Sequence, residues 1–220
     1  AKLGELDHPQ AQNFLQNYYR KNSGDSNLQL AVLSAFLKKD DSESFKIVAK
    51  LMDEDLPLPS NIYSMNGIFK AFADNSENTS KIMDELLKYR SIPEYQNYII
   101  TLVATLLEKG ELPARKIKPY RKDILTLAKL ELKRTTSSWM ESKRAQSNYY
   151  YNSKSTDISL LKNYIALLQP FSHENEIGSF FNKVESLDIP ELLLFTLEQK
   201  LESNENPQKL IQNISENKKS

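Results

Sequence analysis

Few side chains in this sequence are of the kinds that activate water, bind metals or form covalent intermediates. Cysteine is absent, which excludes thiolate nucleophiles, disulfide bonds and zinc sites built on thiolates. The two histidines, His8 and His173, each lie at the start of a predicted helix, and His173-Glu174 lacks a second histidine at helical zinc-site spacing. No glycine-rich phosphate loop is present, and two histidines do not allow a Ser-His-Asp set to be assembled. We therefore expect no catalytic residue, no metal site and no cofactor.

The acidic triplet Asp53-Glu54-Asp55 is a second candidate for chemistry, because clustered carboxylates can bind cations. A calcium loop also needs a glycine and a downstream glutamate at fixed spacing, and both are missing here. We interpret the triplet as a solvated helix end.

A basic segment is the clearest local departure from a balanced composition. Between Arg115 and Arg144, ten basic residues stand against three acidic ones, although the whole chain carries 29 of each sign. On a helix, Lys122, Lys129 and Lys133 fall within about 40° of each other. The ordinary interpretation is a solvated outer face, and the alternatives are a binding stripe for an acidic partner or a nucleic-acid surface. Aromatic platforms for bases are not predicted beside the stripe, so nucleic acid is the less favoured partner.

The tyrosine cluster Tyr149, Tyr150 and Tyr151, together with Tyr18-Tyr19, could form a recognition surface. Tyrosine supplies a large contact area at a small entropic cost, which suits an interface. Packing between helices is the alternative, and the sequence favours it.

The elements that position these groups are predicted to be helices throughout. One pattern is written twice between Ser26 and Leu87, at shifts of 34 to 36 residues, in a chain with only five glycines. Its matched segments are Ser26-Asn27-Leu28 with Ser60-Asn61-Ile62, Ala35-Phe36 with Ala71-Phe72, and Lys46-Ile47-Val48 with Lys81-Ile82-Met83. This period is typical of stacked helical hairpins.

Helix starts are marked by a recurring device, an acceptor followed by proline in the first turn and Gln or Glu at the third position. The copies are Asp7-His8-Pro9-Gln10, Ser91-Ile92-Pro93-Glu94 and Asp188-Ile189-Pro190-Glu191. Helices are predicted near 9–21, 27–38, 42–53, 61–73, 77–89, 93–109, 119–150, 156–168, 174–187, 190–201 and 207–214. The long 119–150 segment is left open as one helix or two, with a bend or break expected at Thr135-Thr136-Ser137-Ser138 because those residues have weak helix propensity.

The hairpin length and the apolar first helices resemble HEAT-type and related α-solenoid repeats. The tetratricopeptide pattern is not found. The resemblance implies an all-α superhelical stack of about five antiparallel helix pairs, serving as a binding scaffold. We expect one domain over residues 1–220, with a partly frayed tail over 203–220.

The functional expectation is a non-enzymatic protein-interaction or accessory domain that binds another protein or another domain of its parent chain. An accessory C-terminal segment of an enzyme whose active site lies elsewhere is one alternative, and an RNA-binding helical array using the basic stripe is another. No apolar run is long enough to span a membrane. The start at Ala1-Lys2-Leu3 suggests a segment of a longer protein, and the many Asn, Lys, Ser and Ile residues suggest a bacterial source. Either the cytoplasm or the cell envelope would accept a cysteine-free chain.

Overall fold

The structure, a computed structural model, describes residues 8–39, 41–57, 64–65, 67–69, 71, 87–146, 157–187 and 189–203, with the side chains of 145–146 and 202–203 left aside. Within these residues nine α-helices are bounded and no strand is found. They are α1 (Pro9–Lys21), α2 (Ser26–Leu37), α3 (Ser42–Glu54), α4 (Pro93–Glu108), α5 (Ala114–Ile117), α6 (Arg121–Gln146), α7 (Ser159–Leu168), α8 (Asn175–Glu185) and α9 (Pro190–Ser203). The all-α prediction is confirmed, while the superhelical stacking of five pairs stays a prediction.

The chain divides into two compact units, Ala1–Leu106 and Leu107–Ser220. Most of the predicted helices 61–73 and 77–89 lies outside the described residues, as do Phe72, the predicted helix 207–214 and the tail from 204. The expectation of one domain over 1–220 stays a prediction.

The first unit is built around α2, which is apolar on nearly every side. Five of its apolar residues are buried, and Phe36 and Leu33 have no exposed surface. It packs against α1 and α3. Both of its connections are fixed by aspartate caps. Asp25 accepts a hydrogen bond from the Leu28 amide at 3.1 Å, and Asp41 accepts one from the Ser44 amide at 2.8 Å.

Helix α1 buries only part of its apolar side. Among Phe14, Leu15, Tyr18 and Tyr19, only Leu15 and Tyr19 are buried. Phe14 is 54% exposed and Tyr18 37% exposed, and their rings stack at 5.9 Å. The two pairs form adjacent stripes about 100° apart on the helix, and only one stripe is buried. The N-cap is His8, whose Nδ1 accepts a hydrogen bond from the Gln10 amide at 3.2 Å.

Helix α6 dominates the second unit and runs without interruption for 26 residues, a length of about 39 Å. The predicted break at Thr135–Ser138 is therefore wrong, and a bend there stays a prediction. The Thr136 hydroxyl donates to the Leu132 carbonyl at 2.7 Å, so its hydrogen bond is made within the helix, and Thr135 is buried. Packing of α6 against α7, whose residues are mostly buried, overrides weak local propensity.

In the part of the chain that the structure describes, no helix combines the length and the apolar character needed to cross a membrane.

Candidate functional site

Lys122, Lys129 and Lys133, here called the lysine stripe, are all exposed on one side of α6. None of their ammonium groups forms an ion pair with a carboxylate among the described residues. Another side of α6 anchors the helix through the buried residues Ile124, Leu125, Ala128 and Leu132. A long helix fixed along its buried side therefore presents three cations outward.

Two arginines of the same basic segment behave differently. The guanidinium of Arg121 donates from Nε to both carboxylate oxygens of Glu174, at 2.7 and 3.0 Å. Arg134 donates to Glu131, with Nε to Oε2 at 2.9 Å and Nη2 to Oε1 at 2.5 Å. Glu131 is only 8% exposed, and its hydrogen bonds raise the pKa of Arg134. Arg121 therefore pairs across 53 residues and Arg134 pairs within α6, whereas the charge count along the sequence does not separate either arginine from the stripe.

Large apolar side chains lie beside the stripe, and the sequence reasoning missed them. Leu130 is 62% exposed and Met140 is 51% exposed. On the helix, Met140 falls within about 20° of Lys133, and Leu130 within about 60° of it. The signal that could have found them is the position of Leu130 directly opposite the buried face of α6.

A depression lies on this outer face of α6. It has a volume of about 480 Å³, is widely open to solvent, and is lined by Leu130, Ser137, Ser138 and Glu141. Lys133 and Arg134 also line it. The stripe therefore adjoins a concave, partly apolar surface, here called the α6 face, made of the lysine stripe, Leu130, Met140 and this depression.

Among the tyrosines, Tyr149, Tyr150 and Tyr151 lie outside the described residues. Tyr19 is fully buried and its hydroxyl donates to the backbone carbonyl of Asp55, and burial raises its pKa. Packing is therefore the role of Tyr19, whereas Tyr18 stays partly exposed on Phe14.

The acidic triplet is not simply a solvated helix end, because each of its members is bonded. Asp53 accepts the Tyr89 hydroxyl at 2.7 Å and lies 3.6 Å from the Lys88 ammonium. Asp55 accepts a hydrogen bond from Gln29 Nε2 at 2.8 Å.

Glu54 completes the triplet by binding Arg20, whose hydrogen bonds lower the pKa of the Glu54 carboxyl. The triplet joins the end of α3 to α1, to α2 and to the turn at 89–91. Sequence reasoning missed this joint, although its contacts to Tyr19, Arg20 and Tyr89 span 34 to 36 residues, the interval of the repeat.

Neither histidine belongs to a site in this structure. His8 caps α1, and His173 is exposed in the turn before α8. The described residues include no group of three or more His, Cys, Asp or Glu that could hold a metal ion.

No family model, no curated protein and no solved structure matches this chain. The resemblance to HEAT-type repeats therefore has no support from known proteins.

Proposed function

We propose that this chain is a non-enzymatic interaction domain that binds an acidic surface of another protein through the α6 face. The observation that carries the proposal is the lysine stripe, three exposed cations without an ion pair among the described residues, beside the exposed side chains of Leu130 and Met140.

Charge and apolar area have different tasks in such an interface. Three lysines on one side of a helix steer an acidic partner and set its orientation, more than they add net affinity. Burial of an exposed leucine or methionine side chain contributes about 1.5 to 3 kcal/mol. The combination suits a protein partner whose own surface has carboxylates around an apolar centre.

A nucleic-acid partner is less well supported by the surroundings of the stripe. Sequence-tolerant binding of single strands needs aromatic rings on which bases stack. Trp139 is the tryptophan of α6. The ammonium of Lys143 lies over its ring, 5.0 Å from the ring centre. Its indole nitrogen is buried, on a side of the helix about 80° or more from the stripe.

The scaffold part of the proposal is supported by contacts within the first unit. Arg20 with Glu54, and Tyr89 with Asp53, join residues 34 and 36 positions apart. Contacts at that interval are what neighbouring hairpins of a repeat array would make. We extend this to a stack of about five antiparallel helix pairs.

The test compares two labelled probes by fluorescence anisotropy over a range of salt. One is an amphipathic peptide of about 20 residues built from Glu, Ala and Leu, and the other is a single-stranded RNA of similar length. We expect the peptide to bind and the RNA to remain unbound at physiological salt.

RNA binding with a slope of log affinity against log salt of roughly 2, about 0.7 per contacted phosphate, would favour the helical RNA-binding alternative. Turnover by the purified chain that is lost on substitution of His8 or His173 would overturn the non-enzymatic part of the proposal.

A further inference from the structure

A second concave surface lies within the second unit. It shares no lining residue with the α6 face, and its charged side chains are acidic. It is a groove of about 570 Å³. Its apolar lining comes from Leu107, Ala166, Pro170 and Phe195, and its carboxylates from Glu108 and Glu198. We call it the acidic groove.

The lining explains why the space is open. Ala166 is buried and ends in a methyl group, so nothing longer fills the volume above it. Pro170 follows in the short turn after α7 and exposes its ring. Phe195 is half-buried on α9. Covering this apolar lining with another apolar side chain removes apolar surface from water, which is favourable.

The carboxylates give the groove its selectivity. Glu108 and Glu198 are both exposed, and neither forms an ion pair among the described residues. Exposed carboxylates attract a cation brought by a ligand, and solvent screens that attraction. The neighbouring Lys162 places its ammonium 5.6 Å from the centre of the Phe195 ring, so a cation of the chain itself already lies beside this aromatic side chain.

From these features we propose that the acidic groove binds a cationic segment of a partner polypeptide, inserting apolar side chains between lysines or arginines. A volume of 570 Å³ holds more than one side chain, which fits a short peptide segment better than a single ion. This partner is different in charge from the acidic partner of the α6 face. The chain would then join two unlike partners, and this inference does not depend on the proposed function.

The experiment measures fluorescence anisotropy of the full chain with a labelled peptide of alternating Lys and Leu, and with a matched peptide of alternating Glu and Leu. We expect the Lys peptide to bind and the Glu peptide not to bind at this groove. The double variant Glu108→Gln, Glu198→Gln should weaken binding of the Lys peptide about 10-fold, as the loss of two charge contacts implies. Both residues are exposed, so the fold should be retained.

The matched control is Glu111→Gln, Glu191→Gln, which removes two exposed carboxylates that do not line the groove. Its affinity for the Lys peptide should stay within about twofold of the parent chain, since distant exposed charges are screened. Charge reversal of the lysine stripe should leave this affinity undiminished, which separates the groove from the proposed function.

Three results would overturn the inference. One is absence of binding of the Lys peptide, and another is an equal loss in the two glutamine variants. The third is full displacement of the Lys peptide by tetramethylammonium alone, which would make the groove a site for small cations. The variant Phe195→Ala tests the apolar contribution. It should lower the affinity for the Lys peptide without changing how that affinity depends on salt.

Discussion

Arg20 and Glu54 are joined by two hydrogen bonds, Nε to Oε2 at 2.6 Å and Nη2 to Oε1 at 3.0 Å, although 34 residues separate them. The pair links the last turn of α1 to the last turn of α3. Together with the part-buried hydrogen bond from Tyr19 to Asp55, it joins the C-terminal ends of α1 and α3, the two helices that pack against α2.

The first prediction is that Glu54→Gln lowers the free energy of unfolding by about 0.5 to 1 kcal/mol. The effect is small because the two side chains keep 40% and 34% of their surface exposed, so solvent screens the pair. Urea unfolding measures it. Glu43→Gln is the control, because its 3.9 Å pair with Lys46 is far more exposed and should contribute almost nothing. Equal losses of unfolding free energy in both variants would contradict a stabilising link between Arg20 and Glu54.

The same pair predicts a pH dependence of stability. Hydrogen bonding to Arg20 lowers the pKa of Glu54 in the folded chain below its ordinary value of 4.5. The unfolded chain therefore binds the proton more readily, so this contribution is present above pH 4.5 and is lost as the pH falls through the folded pKa. The difference in stability between the parent chain and Glu54→Gln should shrink on acidification. A stability difference that grows as the pH falls would show that the pKa of Glu54 is not lowered in the folded chain.

The third prediction contrasts two buried tyrosines. Tyr95 is 1% exposed, its hydroxyl has no hydrogen-bond partner among the described residues, and burial raises its pKa to about 12. Tyr95→Phe should leave stability unchanged or raise it by about 1 kcal/mol, because an unsatisfied buried hydroxyl is removed. Tyr19→Phe should lower stability by about 1 kcal/mol, because the hydrogen bond to Asp55 is lost. The reverse order on thermal or urea unfolding would contradict these assignments.

The fourth prediction concerns the core of the first unit. Phe36 has no exposed surface, so Phe36→Ala should cost about 3 to 5 kcal/mol. Phe14→Ala is the matched control, because Phe14 is 54% exposed and its loss should cost less than about 1 kcal/mol. A loss below about 1 kcal/mol for Phe36→Ala would count against α2 as the interior helix.

The helices could be predicted from the sequence because local rules decide them. Proline in the first turn and apolar spacing placed the starts of α1, α4 and α9 at Pro9, Pro93 and Pro190. The same local rules failed at Thr135, where burial against neighbouring residues kept the helix continuous. Local helix propensity does not predict which residues pack against distant parts of the chain.

The candidate sites were predicted less completely than the helices. The lysine stripe follows from helical geometry and is exposed as expected. The pairing of Arg121 with Glu174, across 53 residues, and the acidic groove depend on which helices become neighbours. Sequence spacing within one helix carries no information about that.

The most direct test of the account is the affinity of the Glu, Ala and Leu peptide for the variant Lys122→Glu, Lys129→Glu, Lys133→Glu. It is compared with Lys21→Glu, Lys50→Glu, Lys183→Glu, which makes the same change in net charge at exposed lysines elsewhere. Both variants should unfold in urea close to the parent chain. We predict a loss of affinity of about 10-fold or more in the stripe variant and less than about threefold in the control, because close complementary charges act locally. Equal losses in the two variants, or no loss in either, would contradict binding of an acidic partner at the α6 face.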